Sequence, residues 1–102
     1  MHPQCIIIKK YSQAEDNIKY FVQDMINEKE FFVVISPIDQ EITYFSKKDE
    51  FIKKIILNSA DQQFAIAINN IDPHTIYRIN FILYKALKNN FFPDDLSYIS
   101  GG

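Results

Sequence analysis

Gln63-Phe64-Ala65-Ile66-Ala67-Ile68-Asn69 is the run on which a fold reading of this chain turns. Phe64, Ile66 and Ile68 alternate with Ala65 and Ala67, the two-residue period of a β-strand. One face carries large apolar groups and the other only methyls. A strand without a polar side chain on either face is usually covered on both, as inner strands of α/β proteins are. The spacing therefore places residues 63–69 at the centre of a sheet, with a helix lying close over the alanine face.

Working outward, Cys5 to Lys10 reads as a first strand, buried through Ile6, Ile7 and Ile8. Ser12 with Glu15 three residues later fits a capping box. Ile18, Phe21, Val22, Met25 and Ile26 follow at helical spacing, which predicts a first helix with Asp16, Lys19, Gln23 and Asp24 on its wet side. Phe31 to Ile35 and Ile42 to Phe45 read as strands joined through the turn Pro37-Ile38-Asp39-Gln40. Ser46 and Asp49 predict a second capped helix whose inner face is Phe51, Ile52, Ile55 and Ile56. Asp72-Pro73 opens a third, Asp as N-cap and Pro at the first helical position. It runs to about Asn89, where Asn89-Asn90 suits a left-handed cap and Pro93 forbids continuation. Leu96 to Ile99 reads as a short last strand.

The predicted order is thus β-α-β-β-α-β-α over a single domain spanning 1–102. It is an α/β (α+β sandwich) fold, a ferredoxin-like sheet with an added C-terminal helix and a short last strand. Residues 31–70, as hairpin, helix and strand, resemble the first half of a ubiquitin-like β-grasp domain, and Gly101-Gly102 is similar to the end of processed ubiquitin-like proteins. That resemblance implies a ubiquitin-like or sulfur carrier acting through Gly102. Residues 31–102 are similar in layout to the periplasmic domain of the ExbD/TolR transport stators. The stretch Ile42 to Asp49 resembles the strand-to-helix corner of actin-depolymerising domains.

Composition narrows the chemistry. With Lys+Arg 11 against Asp+Glu 13 the net charge is −2, so no basic excess points to nucleic acid. One cysteine, Cys5, excludes an intrachain disulfide and suits a reducing, cytoplasmic setting. No stretch approaches the roughly 20 apolar residues of a membrane span. The only two glycines are Gly101 and Gly102, so no phosphate-cradling loop of the Walker or dinucleotide type has the interior glycines it needs. No cofactor is implied.

Nucleophilic catalysis would draw on Cys5 and His74 with Asp72 as orienter, but Cys5 starts a buried strand where a small apolar role is usual. His2 and Cys5 lack the second close ligand pair of a structural zinc. Asp94-Asp95 and Glu28 with Glu30 sit at element ends, where water suffices for a carboxylate. Stacking of RNA bases would need exposed aromatics on the first strand, which offers only isoleucines beside the Tyr44 and Phe45 of a later one.

The third helix is the most informative surface. Ile76, Ile79, Leu83 and Leu87 form one apolar stripe, and Tyr77, Phe81 and Tyr84 a second, about 100° around. Arg78 and Lys85 form the polar wedge. A ring leaning over the sheet with its hydroxyl wet accounts for such a stripe structurally. Aromatics rimmed by basic groups are also typical interface anchors. The sequence therefore reads as a non-catalytic protein–protein interaction or regulatory module, the alternatives being the carrier acting through Gly102 and a small enzyme with an unrecognised site. Its contact residues are Tyr77, Phe81, Tyr84, Arg78 and Lys85, facing a protein partner or a second copy of the chain.

Overall fold

The computed structural model describes residues 3–56, 68 and 70–100. Strands β1 (Gln4–Gln13), β2 (Ile18–Asp24), β3 (Lys29–Ser36), β4 (Glu41–Ser46) and β5 (Phe51–Ile56) run as an antiparallel meander. Helix α1 (Pro73–Asn89) follows, and β6 (Tyr98–Ser100) pairs antiparallel with the start of β1. The sheet order is β5-β4-β3-β2-β1-β6, so the chain leaves one edge after β5 and returns to the other. This overturns the ferredoxin-like α/β expectation: among the described residues there is one helix, and it packs on one face of a six-stranded antiparallel sheet.

The two predicted helices that are strands have a shared cause. In β2, Ile18, Tyr20 and Val22 point inward and are buried, while Lys19, Phe21 and Gln23 point to the other face. Because Phe21 puts a ring on the outer face, apolar residues fall at 18, 21, 22 and mimic a helical stripe. Asp24, assigned to the wet side, is buried. Its carboxylate accepts from the Asn27 backbone N–H at 3.2 Å, the Asn27 side chain at 2.8 Å and the Thr75 hydroxyl at 2.9 Å. β5 repeats the pattern: Ile55 is buried, Ile52 packs against the core, and Phe51 and Ile56 are exposed. β-Branched and aromatic side chains suit a pleated surface, which decides both cases in favour of strand.

Of the two expected capping boxes, Ser12 lies in β1 opposite Lys19, and Ser46 closes a turn. The Ser46 hydroxyl accepts from the backbone N–H groups of Lys48 and Glu50, at 3.2 and 3.1 Å. The Ser46 N–H donates to the Glu50 carbonyl and Asp49 takes φ 64°. A serine that satisfies the N–H groups following it serves a hairpin turn as well as a helix start. Lacking interior glycine, the three turns β2–β3, β3–β4 and β4–β5 place Glu28, Gln40 and Asp49 at φ 57°, 55° and 64°. Each such residue sits in a region where a Cβ is disfavoured.

Other expectations hold. The 31–45 hairpin is present, with Val33 opposite Tyr44. α1 begins as read: the Asp72 carboxylate accepts from the Thr75 N–H at 3.2 Å and Pro73 is the first helical residue. It ends with Asn90 in the left-handed conformation (φ 48°), while the Phe91 N–H donates to the Ala86 carbonyl at 3.1 Å, a Schellman closure. The last strand lies slightly later than 96–99. The run Gln63 to Asn69 lies outside the described residues except for Ile68, which is buried with the core.

That core is the layer between sheet and helix. Ile6, Ile8, Tyr20, Val22, Val33, Ile35, Ile42 and Tyr44 meet Ile76, Ile79, Leu83 and Leu87. Two tyrosine hydroxyls within it are satisfied. Tyr44 donates to Asn80 Oδ1 at 2.6 Å and Tyr20 to the Pro93 carbonyl at 2.7 Å. Burial drives the Tyr44 hydroxyl pKa well above its ordinary value. Burial, helped by the Asp94 carboxylate, pushes that of Tyr20 up to about 12.

Candidate interaction surface

One turn of α1 after another presents the same two sides. The inward side is fully used by Ile76, Ile79, Leu83 and Leu87, as the spacing required. The outward side carries Tyr77, 46% exposed, and Phe81, 36% exposed. Tyr84 is half-buried and packs against the core, so it belongs partly to the helix–sheet layer. Lys85 is exposed with its ammonium 5.7 Å from the Phe81 ring centre, and Lys88 stands 5.6 Å from that of Tyr84. Both contacts join residues four apart on one helical face, a spacing at which side chains meet.

Arg78 behaves differently from Lys85. Its guanidinium lies 4.3 Å from the ring centre of Tyr98 on β6, and its Nε is buried without a hydrogen-bond partner among the described residues. The predicted polar wedge is therefore split. Arg78 is half-buried and ties the helix to the sheet edge, whereas Lys85 faces water. Lys88, absent from the predicted site, joins it. As a basic residue in the last turn it also offsets the negative end of the helix dipole.

The helix holds Arg78, Lys85, Lys88 and no Asp or Glu, although the chain as a whole is net negative. Its outward face is thus a local positive, aromatic strip. Beside it lies a groove of about 280 Å³, between the last turns of α1 and the segment that runs back from Phe91 to Leu96. Ile82, Ala86, Phe91, Pro93 and Leu96 line it, with Lys85 and Asn89 as its polar members.

Sequence reasoning missed a second aromatic surface. The sheet face away from α1 carries Phe21, Phe32, Phe45 and Phe51, in register across β2 to β5, and Tyr11 joins them from the irregularity in β1. The Phe32 ring packs against Tyr11 at 5.0 Å and Phe21 at 5.1 Å, and Phe45 against Phe51 at 6.3 Å. The Lys19 ammonium sits 4.4 Å from the Phe32 ring centre and 2.7 Å from the Asp49 carboxylate, bracing the β4–β5 turn over this face. Lys47 pairs with Glu30 at 2.7 Å, and Lys9 with Asp95. These contacts hold both carboxyls below their usual range. The signal was available: Phe21, Phe32 and Phe45 each share a strand face with the residues two positions away once the period is taken as two.

The residues considered for chemistry are separated in role. The Asp72 carboxylate is used as the helix cap, Cys5 lies half-buried in β1, and His74 is exposed in the first turn of α1. Among the described residues no group of three or more His, Cys, Asp or Glu side chains is placed to hold a metal ion. No helix among them is long and apolar enough to cross a membrane.

The class these features define is an antiparallel sheet with one helix on one face and a basic, aromatic outward strip on that helix. Comparison with known protein families, with curated proteins and with solved structures finds no match to the chain. The resemblances noted in the sequence to β-grasp domains, transport stators and the actin-depolymerising corner each require a helix after the 31–45 hairpin. The strand β5 occupies that place.

Proposed function

We propose that the protein is a non-catalytic interaction module that meets a protein partner through the outward strip of α1, centred on Tyr77, Phe81 and Lys85. The observation that carries this reading is the exposure of two large rings on a helix whose inward face is already filled. Rings of this kind, flanked by cations, supply contact area at little entropic cost. The outer sheet face supports the choice of a protein over nucleic acid, because Lys9, Lys19 and Lys47 there are each committed to a carboxylate. The carrier alternative is less well supported. β6 pairs Ser100 with Gln4, so no flexible spacer precedes Gly101, and the two glycines lie outside the described residues.

The test compares wild type with Phe81→Glu, each immobilised and exposed to lysate of the source cells. Circular dichroism checks that both are folded. A protein retained by the wild type and lost with Phe81→Glu is the expected outcome, since a charge in a dry contact is costly. Identical retained sets would refute the helix as contact surface. Sedimentation of the purified protein shows whether a second copy is that partner.

A further inference from the structure

We infer that the groove beside the C-terminal half of α1 docks an acidic protein segment. One apolar side chain of the segment seats among Ile82, Ala86, Phe91 and Leu96, and its carboxylates face Lys85 and Lys88. This rests on the reading of α1 as the contact surface and adds the chemistry of the partner.

The groove has two held walls. One is α1 itself. The other is the 91–96 segment, turned back by the Schellman closure at Asn90 and fastened to the sheet at several points. Pro93 accepts the Tyr20 hydroxyl, the Asp94 carbonyl accepts the Lys10 N–H at 2.8 Å, and the Leu96 N–H donates to Ile8 at 2.8 Å. A cleft so fixed stays open at little ordering cost to a ligand. Phe91, 66% exposed, stands at its side as a ring available to an incoming apolar group.

Charge selects the occupant. Among the described residues no carboxylate pairs with Lys85 or Lys88, and α1 itself contains none. The nearest acidic groups in sequence, Asp94 and Asp95, pair with Lys10 and Lys9. Two cations over rings, next to an apolar cleft sized for a side chain, complement a segment that alternates carboxylates with an apolar anchor. A bilayer surface is a poorer match, because it offers no single group to fill the cleft and rewards a broad apolar face instead.

The experiment is selection of a random peptide library displayed on phage against the folded protein. Enriched sequences should combine aspartate or glutamate with a leucine or aromatic residue. As synthetic peptides they should bind Lys85→Glu/Lys88→Glu about tenfold or more weakly. Binding to a Lys48→Glu control, altered at an exposed residue of the β4–β5 turn, should be unchanged. Neutral or basic winners, no enrichment, or undiminished binding to the double variant would each overturn the inference. Cosedimentation of the wild type with phosphatidylserine vesicles, without peptide enrichment, would overturn it in favour of a membrane surface. Winners that ignore charge but still lose binding to Phe81→Glu would sink the acidic partner and leave the helix surface standing. Winners indifferent to Phe81→Glu and to the double variant would remove both.

Discussion

The two faces of the sheet are both rich in aromatic side chains, yet they are solved differently. On the helix side Tyr20 and Tyr44 are completely buried, and each hydroxyl reaches an acceptor on or just after α1. On the far side the rings lean on one another and meet the Lys19 ammonium, with Tyr11 64% and Phe51 63% exposed. The first face is dry, and pairing the two tyrosine hydroxyls avoids the roughly 1–3 kcal/mol that an unpaired buried group costs. The second is partly wet and needs only enough contact to keep its apolar area from spreading. Alternation along each strand puts these unlike environments one residue apart.

The largest expected effect comes from opening the dry face. Leu83→Ala should destabilise the protein by about 2–5 kcal/mol, because Leu83 is wholly buried and its truncation removes buried apolar contact and leaves a cavity. Phe51→Ala on the wet face should cost about 1 kcal/mol or less, its ring being mostly in water already. Chemical denaturation midpoints of the two variants decide the matter. Equal losses would mean that the faces do not differ in the way described.

The tyrosines sharpen the same contrast through pH. Burial raises the Tyr44 hydroxyl, and raises Tyr20 to about 12, against an ordinary value of 10.0. The unfolded chain therefore releases these protons at lower pH than the folded one. Their contribution is fully present below about pH 10 and is lost as pH rises from there toward and beyond 12. Ultraviolet titration of the tyrosines should show Tyr20 and Tyr44 as a late class that appears only with unfolding. A single class ionising together while the far-ultraviolet dichroism stays native would contradict the burial of Tyr20 and Tyr44.

The smallest effect leaves both faces untouched. Gln40 holds φ 55° in the β3–β4 turn, where a residue without Cβ is at ease. Gln40→Gly should relieve that strain at some cost in unfolded-chain entropy, and lose the side-chain bond to the Pro37 carbonyl. The net expectation is stabilisation by roughly 0.5 kcal/mol. A clear drop in melting temperature would show that the side-chain bond outweighs the backbone strain.

Several features were legible without coordinates because they are local. Asp72-Pro73 and Asn90 fix the ends of α1 through caps that depend only on adjacent residues. The 31–45 hairpin follows from two apolar runs and a proline turn. The inward stripe Ile76, Ile79, Leu83 and Leu87 follows from helical period alone. In the site, Tyr77, Phe81 and Lys85 could be placed on the outward face by the same arithmetic.

What the tertiary structure decided is what each ambiguous run packs against. Residues 18–26 and 51–56 carry apolar groups on both faces of a strand, and such a run satisfies a helical stripe as readily as an alternating one. Pairing with β1 and β3, and with β4, supplied the ladder that settled them. Ser46 offered the same side-chain acceptor to a turn as to a helix. The separation of Arg78 from Lys85 depended on Tyr98 arriving from the far end of the chain, and the groove beside α1 on Pro93 and Leu96 being fastened to β2 and β1. Local chemistry determines where an element can begin and end. Burial, a property of residues distant in sequence, determines which of two permitted conformations is kept.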